Sequence, residues 1–292
     1  DLFDIATVIG TVSVDPVEPT EWRFDNEGTV LLSTPDEDES DPPEDRSETF
    51  GWAAYNDVTD FGVVDGRLVG TTGELPLLHA IRPDQLDQND LLHAIEITMR
   101  VSAGTQVGIT FNGGNRLDEE RILRTIRNAA EAPLSADLEP GDEFHTYRLE
   151  NPGRSFSIGG LRHILVQPTD AIDAEFAIES IRAIARKEHL RSISSGPGWQ
   201  GLDEVYRETI VSRAPERITV ELQLPDHPSL ELAVGTIEDS PVTFHVGIDS
   251  GSGEESLWRR TVTLPRRWIS KHIALPEHAG QQVTLSLSLE GA

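Results

Sequence analysis

Cysteine is absent from these 292 residues. That excludes disulfides, zinc–thiolate sites, iron–sulfur clusters and a cysteine nucleophile, and is compatible with an oxidising compartment. Lysine is almost absent: it occurs only at Lys187 and Lys271, so arginine carries nearly all the positive charge. Lys plus Arg number 24 against 51 Asp plus Glu, a formal net charge of -27. A surface this anionic repels phosphate backbones and anionic head groups, so nucleic acid is not an expected partner. It suits a heavily hydrated, salt-adapted protein, or an acidic face that binds cations or a basic partner. No apolar run approaches the roughly 20 residues that a membrane-spanning helix needs. No signal peptide precedes Asp1, which reads as a processed or trimmed start.

Alternation of period two dominates what is present. Ile95, Ile97, Met99 and Val101 share one face of His93–Val101, and Val107, Ile109 and Phe111 share one face of the next segment. The turn through Ser102, Ala103 and Gly104 makes these a hairpin. Further strands are expected at Trp22–Phe24, Arg67–Thr71, Phe144–Leu149, Leu161–Gln167 and Glu175–Ala185. Seven more follow at Val205–Val211, Arg217–Leu224, Ser229–Val234, Val242–Ile248, Leu257–Leu264, Trp268–Leu275 and Gln282–Leu289. They are separated by turn chemistry such as Pro225–Pro228 and Asp249–Gly253.

The pattern predicts an all-β chain of two tandem, jelly-roll-like β-sandwich domains. Their expected bounds are 1–191 and 199–292, with a linker at 192–198. Pro35–Glu48 is dense in acid and reads as a loop. Leu117–Ala130 reads as a short amphipathic helix in the first domain, or as a strand followed by a long loop.

Chemistry-bearing motifs are scarce. The nine histidines show no HExxH or similar ligand spacing, and no Gly-x-Ser-x-Gly elbow occurs. Adjacent carboxylates such as Asp203 and Glu204 face opposite sides of a strand and rarely cooperate. Calcium, which takes several carboxylate and carbonyl oxygens, is the one expected ion. Asp25, Glu27, Asp36 and Asp38 are its candidate ligands, and no other cofactor is expected. Aromatic residues cluster twice: Trp22, Phe50, Trp52, Tyr55 and Phe61, then Trp199, Tyr206, Trp258 and Trp268. Large aromatics fill cores and also form sugar platforms. Trp52 and Tyr55, on the segment after the acidic loop, are the candidate carbohydrate-binding pair.

Specific phrases recur in a known setting: Arg186–Leu190 (RKEHL), Gly198–Gly201 (GWQG), Tyr206–Thr209 (YRET), Ser212–Glu216 (SRAPE), Leu232–Thr236 (LAVGT) and Pro241–Phe244 (PVTF). From about Ala183 to Leu289 the chain resembles the non-catalytic β-sandwich region that precedes the catalytic domain of some large secreted bacterial sulfatases. Weaker likeness extends over Gly51–Asp60, Val64–Leu68 and Glu143–Leu149. The resemblance implies a periplasmic or extracellular protein with tandem sandwiches. Sulfatases modify a Cys or Ser in a Cys/Ser-x-Pro-x-Arg context, and Ser212–Arg217 has one residue too many before its proline, so no catalytic residue carries over.

The expected function is a non-catalytic scaffold or interaction protein. It would act as an accessory region of a missing catalytic domain, or as an extrinsic subunit among other proteins. A carbohydrate-binding module and a fragment of a sulfatase-type hydrolase are the alternatives.

Overall fold

The computed structural model describes residues 7–9, 19–25, 46–113, 134–150, 156–202, 205–237 and 240–291. In chain order the strands are β1 (Thr7–Ile9), β2 (Thr20–Arg23), β3 (Ala53–Val64), β4 (Arg67–Ile81), β5 (Leu91–Val101), β6 (Gln106–Asn112), β7 (Leu134–Asp137), β8 (His145–Glu150), β9 (Phe156–Ser157), β10 (His163–Gln167) and β11 (Glu175–Ala185). Helix α1 (Arg186–Ser192) follows. Then come β12 (Gly196–Leu202), β13 (Val205–Val211), β14 (Arg217–Gln223), β15 (Ser229–Val234), β16 (Val242–Asp249), β17 (Glu254–Val262), β18 (Ile269–Ala274) and β19 (Gln282–Gly291). The chain is all-β and sandwich-like, as its alternation predicts.

Contacts divide it into two units, Val17–His189 and Asp1–Pro16 with Leu190–Ala292. This differs from the sequence-based bounds at both ends. β1 pairs with β14, so the start of the chain belongs with the second unit. The expected linker at 192–198 is partly strand, since Gly196–Gly198 open β12 and pair with Thr209–Val211 of β13. Gly and Pro there signal a break, but β12 is the edge of a two-stranded sheet, where a proline is tolerated.

In residues 17–189 all the described strands join one sheet, ordered β7-β6-β10-β4-β11-β5-β8 with β2, β3 and β9 attached. Its inner face closes around Trp22, Trp52, Ile97, Leu149, Ile164 and Ile181, all buried. β3 and β4 are joined by Asp65-Gly66, both at positive φ, the signature of a two-residue type I′ hairpin. Bulges interrupt β3, and Asp57 and Asp60 in it also take positive φ. These irregularities erase the alternation by which β3 would have been recognised.

Leu117–Ala130, the expected helix, lies outside the described residues. The helix that is seen, α1, follows a bulge at Ile184/Ala185 in β11. Its sequence RKEHLRS is built largely of good helix formers.

In the second unit β1-β14-β19-β16-β17 form a five-stranded sheet, while β12–β13 and β15–β18 are separate pairs. Leu230 of β15, with Leu232 and Ile273 beside it, packs on Val220, Ile248 and Leu285 of the larger sheet. That is a two-layer sandwich.

Candidate functional site

The sandwich of residues 190–291 is packed at one end and open at the other. Along β19 the inward positions are Val283, Leu285, Leu287 and Leu289. The first two are buried and the last two only half-buried. Along β16 the gradient runs the other way, with Ile248 and Val246 buried and Phe244 and Val242 half-buried. Registry aligns these ends, because Ile248 faces Leu285 and Phe244 faces Leu289. Past the packed end the layers border an open cavity of about 1030 Å³. Ile218, Phe244 and Leu287 line it from the large sheet, and Leu232 and Val234 from β15. Polar residues such as Gln200, Thr209 and Ser270 stand among these apolar walls. Concave, mainly apolar space of this size is where small ligands bind.

Its rim is chemically distinct. Leu232 is the register partner of Lys271, with Leu230 opposite Ile273 and Val234 opposite Ile269. Directly opposed residues share a face, so Lys271 interrupts the inward apolar stripe Ile269–Lys271–Ile273 and lines the cavity. Its head group is exposed and makes no hydrogen bond or ion pair among the described residues. Arg207, also on the lining, lies 5.6 Å from the Trp268 ring centre, and the Trp268 indole donates to Val205 O at 2.8 Å. His272 and Glu231, 3.5 Å apart, border the cavity too. Trp199 is 63% exposed and Val205 50%, on opposite faces of the β12–β13 hairpin.

The base of this unit is tied by a buried carboxylate. Glu216, 0% exposed, accepts from Ser195 Oγ at 2.7 Å, Ser212 Oγ at 3.1 Å and the Arg213 amide at 2.7 Å. The Arg213 guanidinium donates to Ser195 Oγ and to the carbonyls of Leu190 and Ile193. The Ser212–Arg217 segment is therefore a structural clasp. Glu216→Gln replaces one acceptor oxygen with a donor facing donors, and should cost roughly 1–3 kcal/mol. Urea unfolding of the variant measures it, and an unchanged midpoint would count against the clasp.

In residues 17–189 the expected sugar platform is not open. Trp52 is 0% exposed and packs edge-on against Trp22, with ring centres 5.4 Å apart. A side chain with no accessible face cannot stack on a sugar from solvent, so Trp52 is a core residue. Tyr55 is half-buried against Leu77 and Leu165, tilted beside His79 at 5.9 Å. The two are not brought together as one surface.

Tyr55 instead borders a polar chain that the sequence did not reveal. Arg46 Nη1 is 3.1 Å from His79 Nδ1, and His79 Nε2 is 3.0 Å from His163 Nδ1. A guanidinium only donates, so His79 Nδ1 accepts and its Nε2–H donates to His163. Burial first, then the charge of Arg46 and the neighbouring His163, lower the His79 pKa to about 3.

A second cluster gathers on the sheet's outer face and α1. His93 stacks on His189 with ring centres 3.6 Å apart. Arg148 donates to Glu96 at 2.6 Å and Glu150 at 3.1 Å, and Arg182 pairs with Glu188. Burial, then His189, Arg148 and Arg186, lower the His93 pKa to about 3. His79 and His93 are neutral at pH 7, and Glu96, Glu150 and Glu188 are each matched by an arginine. These are ordering networks with no activated nucleophile.

Of the expected calcium ligands only Asp25 is described, and its carboxylate accepts from Arg23 at 2.6 Å. Glu27, Asp36 and Asp38 lie outside the described residues. Among the described residues no three His, Asp or Glu side chains are grouped to hold a metal ion, and no helix is long and apolar enough to cross a membrane.

No protein-family model matches the chain. A stretch of 134 residues is 24% identical to the sensor protein LytS of Oceanobacillus iheyensis, covering 46% of this chain and 21% of that protein. The chain thus spans about a fifth of the curated relative's length. Solved structures with a partial likeness are family 29 carbohydrate-binding modules. One, complexed with mannohexaose, covers 57% of this chain and 93% of its own at 15% identity and a TM-score of 0.31. Another, from Piromyces equi, covers 46% and 80% at 12% identity and a TM-score of 0.28.

The cavity had one sequence signal. Lys271, one of two lysines in the chain, falls at an inward position between Ile269 and Ile273. The histidine pairs had none, since His79 and His163 are 84 residues apart.

Proposed function

We propose that this chain is a non-catalytic, extracytoplasmic interaction module, an accessory region or extrinsic subunit of a larger assembly. Residues 17–189 serve as rigid scaffold and residues 190–291 as the receiving unit. What carries the reading is the contrast in how the units are filled. The first surrounds its aromatic core completely, down to Trp52 at 0% exposure. The second leaves an apolar cavity of about 1030 Å³ and an exposed Trp199. Exposed apolar surface of this kind marks contact sites. The sulfatase-like phrases from Arg186 onward support an extracytoplasmic setting, with which the lack of cysteine is compatible.

The test is the mass of the native particle from its source, with mass spectrometry of every polypeptide in it. The expected result is a particle well above the 32.1 kDa of this chain, containing further subunits or a longer polypeptide. A monodisperse monomer of this chain alone would overturn the assembly reading.

A second reading has one observation in its favour. Trp199, 63% exposed on β12 beside Gln200 and opposite Glu208, offers an aromatic face with polar neighbours, which is what sugar recognition uses. A glycan panel in which Trp199→Ala abolishes a hit would establish carbohydrate binding there. A panel with no hit on the unaltered chain would dismiss it.

A further inference from the structure

We propose that the cavity of residues 190–291 binds an anionic single-chain amphiphile, a free long-chain fatty acid. Its carboxylate sits at Lys271 and its hydrocarbon chain lies along Ile218, Leu232, Phe244 and Leu287. The inference deepens the reading of this unit as the receiving one and rests on it.

Three observations converge. The first is size: about 1030 Å³ stands at the top of the roughly 300–1,000 Å³ range of small-molecule sites. The second is the wall. Phe244 and Leu287 are inward residues of β16 and β19 that stay half-buried where they line the cavity. An apolar chain laid there would complete the packing that Val246, Ile248, Val283 and Leu285 already have.

The third is charge. The chain carries -27, yet Arg191, Arg207, Arg213 and Lys271 border the cavity against Glu208 and Glu231. Arg213 is spent on the clasp with Ser195 and the carbonyls of Leu190 and Ile193, and Arg207 lies over Trp268. Lys271 makes no hydrogen bond or ion pair among the described residues. It interrupts an inward apolar stripe between Ile269 and Ile273, opposite Leu232. A lysine there keeps its ammonium in water and its stem against the wall, the arrangement an amphiphile's head and tail require. A neutral apolar ligand would leave that cation unused, and a sugar would find hydrocarbon where it needs hydrogen-bond partners.

The test uses the full chain and the fluorescent fatty acid cis-parinaric acid, displaced by palmitate or by uncharged cetyl alcohol. Expected are one saturable site per chain, and palmitate displacing the probe better than the alcohol. Lys271→Gln, at an exposed side chain, should weaken palmitate by about fivefold and leave the alcohol unchanged. Leu287→Asp should abolish both, with circular dichroism reporting whether the sheet persists. Lack of saturable probe binding would overturn the proposal. So would equal affinity for acid and alcohol, or a Lys271→Gln variant that binds palmitate as the parent does. Co-sedimentation with phosphatidylglycerol vesicles without binding of monomeric acid would mean a membrane surface and also overturns it. The native-particle mass is independent. A monomer that binds palmitate removes the assembly reading alone, and an assembly that ignores palmitate removes this inference alone.

Discussion

Lowering the pH from 7 to 5 is expected to remove about 2–3 kcal/mol from the stability of residues 17–189, ~2 kcal/mol through buried His79 and less through His93, which solvent partly screens. Both have folded pKa values of about 3 against an ordinary 6.5. Between those values the unfolded chain binds a proton that the folded chain refuses, so stability rises with pH through this window. The contribution is whole above about 6.5 and is lost progressively as the pH falls toward 3.

The geometry gives the cause. Protonating His79 would place a second cation against Arg46, whose guanidinium already occupies Nδ1. Protonating His93 would charge a ring stacked on His189 and faced by Arg148 and Arg186. His189 is lowered too, chiefly by burial, and acts in the same direction. The carboxylates held below their ordinary values, Asp170 and Glu254, give up their share only at lower pH. The histidines therefore dominate this interval.

Urea unfolding midpoints at the two pH values, followed by tryptophan fluorescence, measure the loss. The double variant His79→Asn/His93→Asn should flatten the dependence. If the parent lost less than about 1 kcal/mol, or the double variant kept the full slope, the assignment of these imidazoles as neutral and protected would fail.

The fold was legible where the strands are regular. β13 and β15 were readable to the residue, and the Asp249–Gly253 turn is the β16–β17 hairpin, with Asp249 Oδ1 accepting from the Gly251 and Gly253 amides. β3 was not readable, because its bulges at Asp57 and Asp60 destroy the period on which reading depends. The Asp65-Gly66 turn after it was the signal that could have located it.

The site was half legible for a different reason. Val283, Leu285, Leu287 and Leu289 alternate identically with Thr284, Ser286 and Ser288. Nothing local distinguishes the buried pair from the half-buried one. Whether a strand face is covered depends on where the opposing layer of β15 and β18 stops, which no residue of β19 itself records. Only Lys271, a charge at an apolar position, carried that information locally.

Trp52→Ala is the other large effect, an expected loss of about 3–5 kcal/mol. The residue is fully buried, its ring edge-on to Trp22 at an interplanar angle of 72°. It is delivered by a compact turn. The Gly51 and Thr49 amides both donate to Arg46 O, Thr49 Oγ1 donates to Trp52 O, and Phe50 at positive φ packs on Phe24. The same turn presents Arg46 to His79, so emptying the Trp52 pocket should loosen the polar chain as well as the core. The pH dependence of the variant should therefore be shallower than the parent's.

Trp52→Phe is the discriminating control. The indole Nε1 is buried without a hydrogen-bond partner among the described residues, a desolvation cost of roughly 1–3 kcal/mol that phenylalanine removes while giving up part of the buried area. Its net loss should therefore fall below about 2 kcal/mol. Alanine costing less than about 1 kcal/mol would mean that this ring is not core. The segment after the acidic loop would then be open to solvent, and Trp52 with Tyr55 would again be the place to look for a sugar.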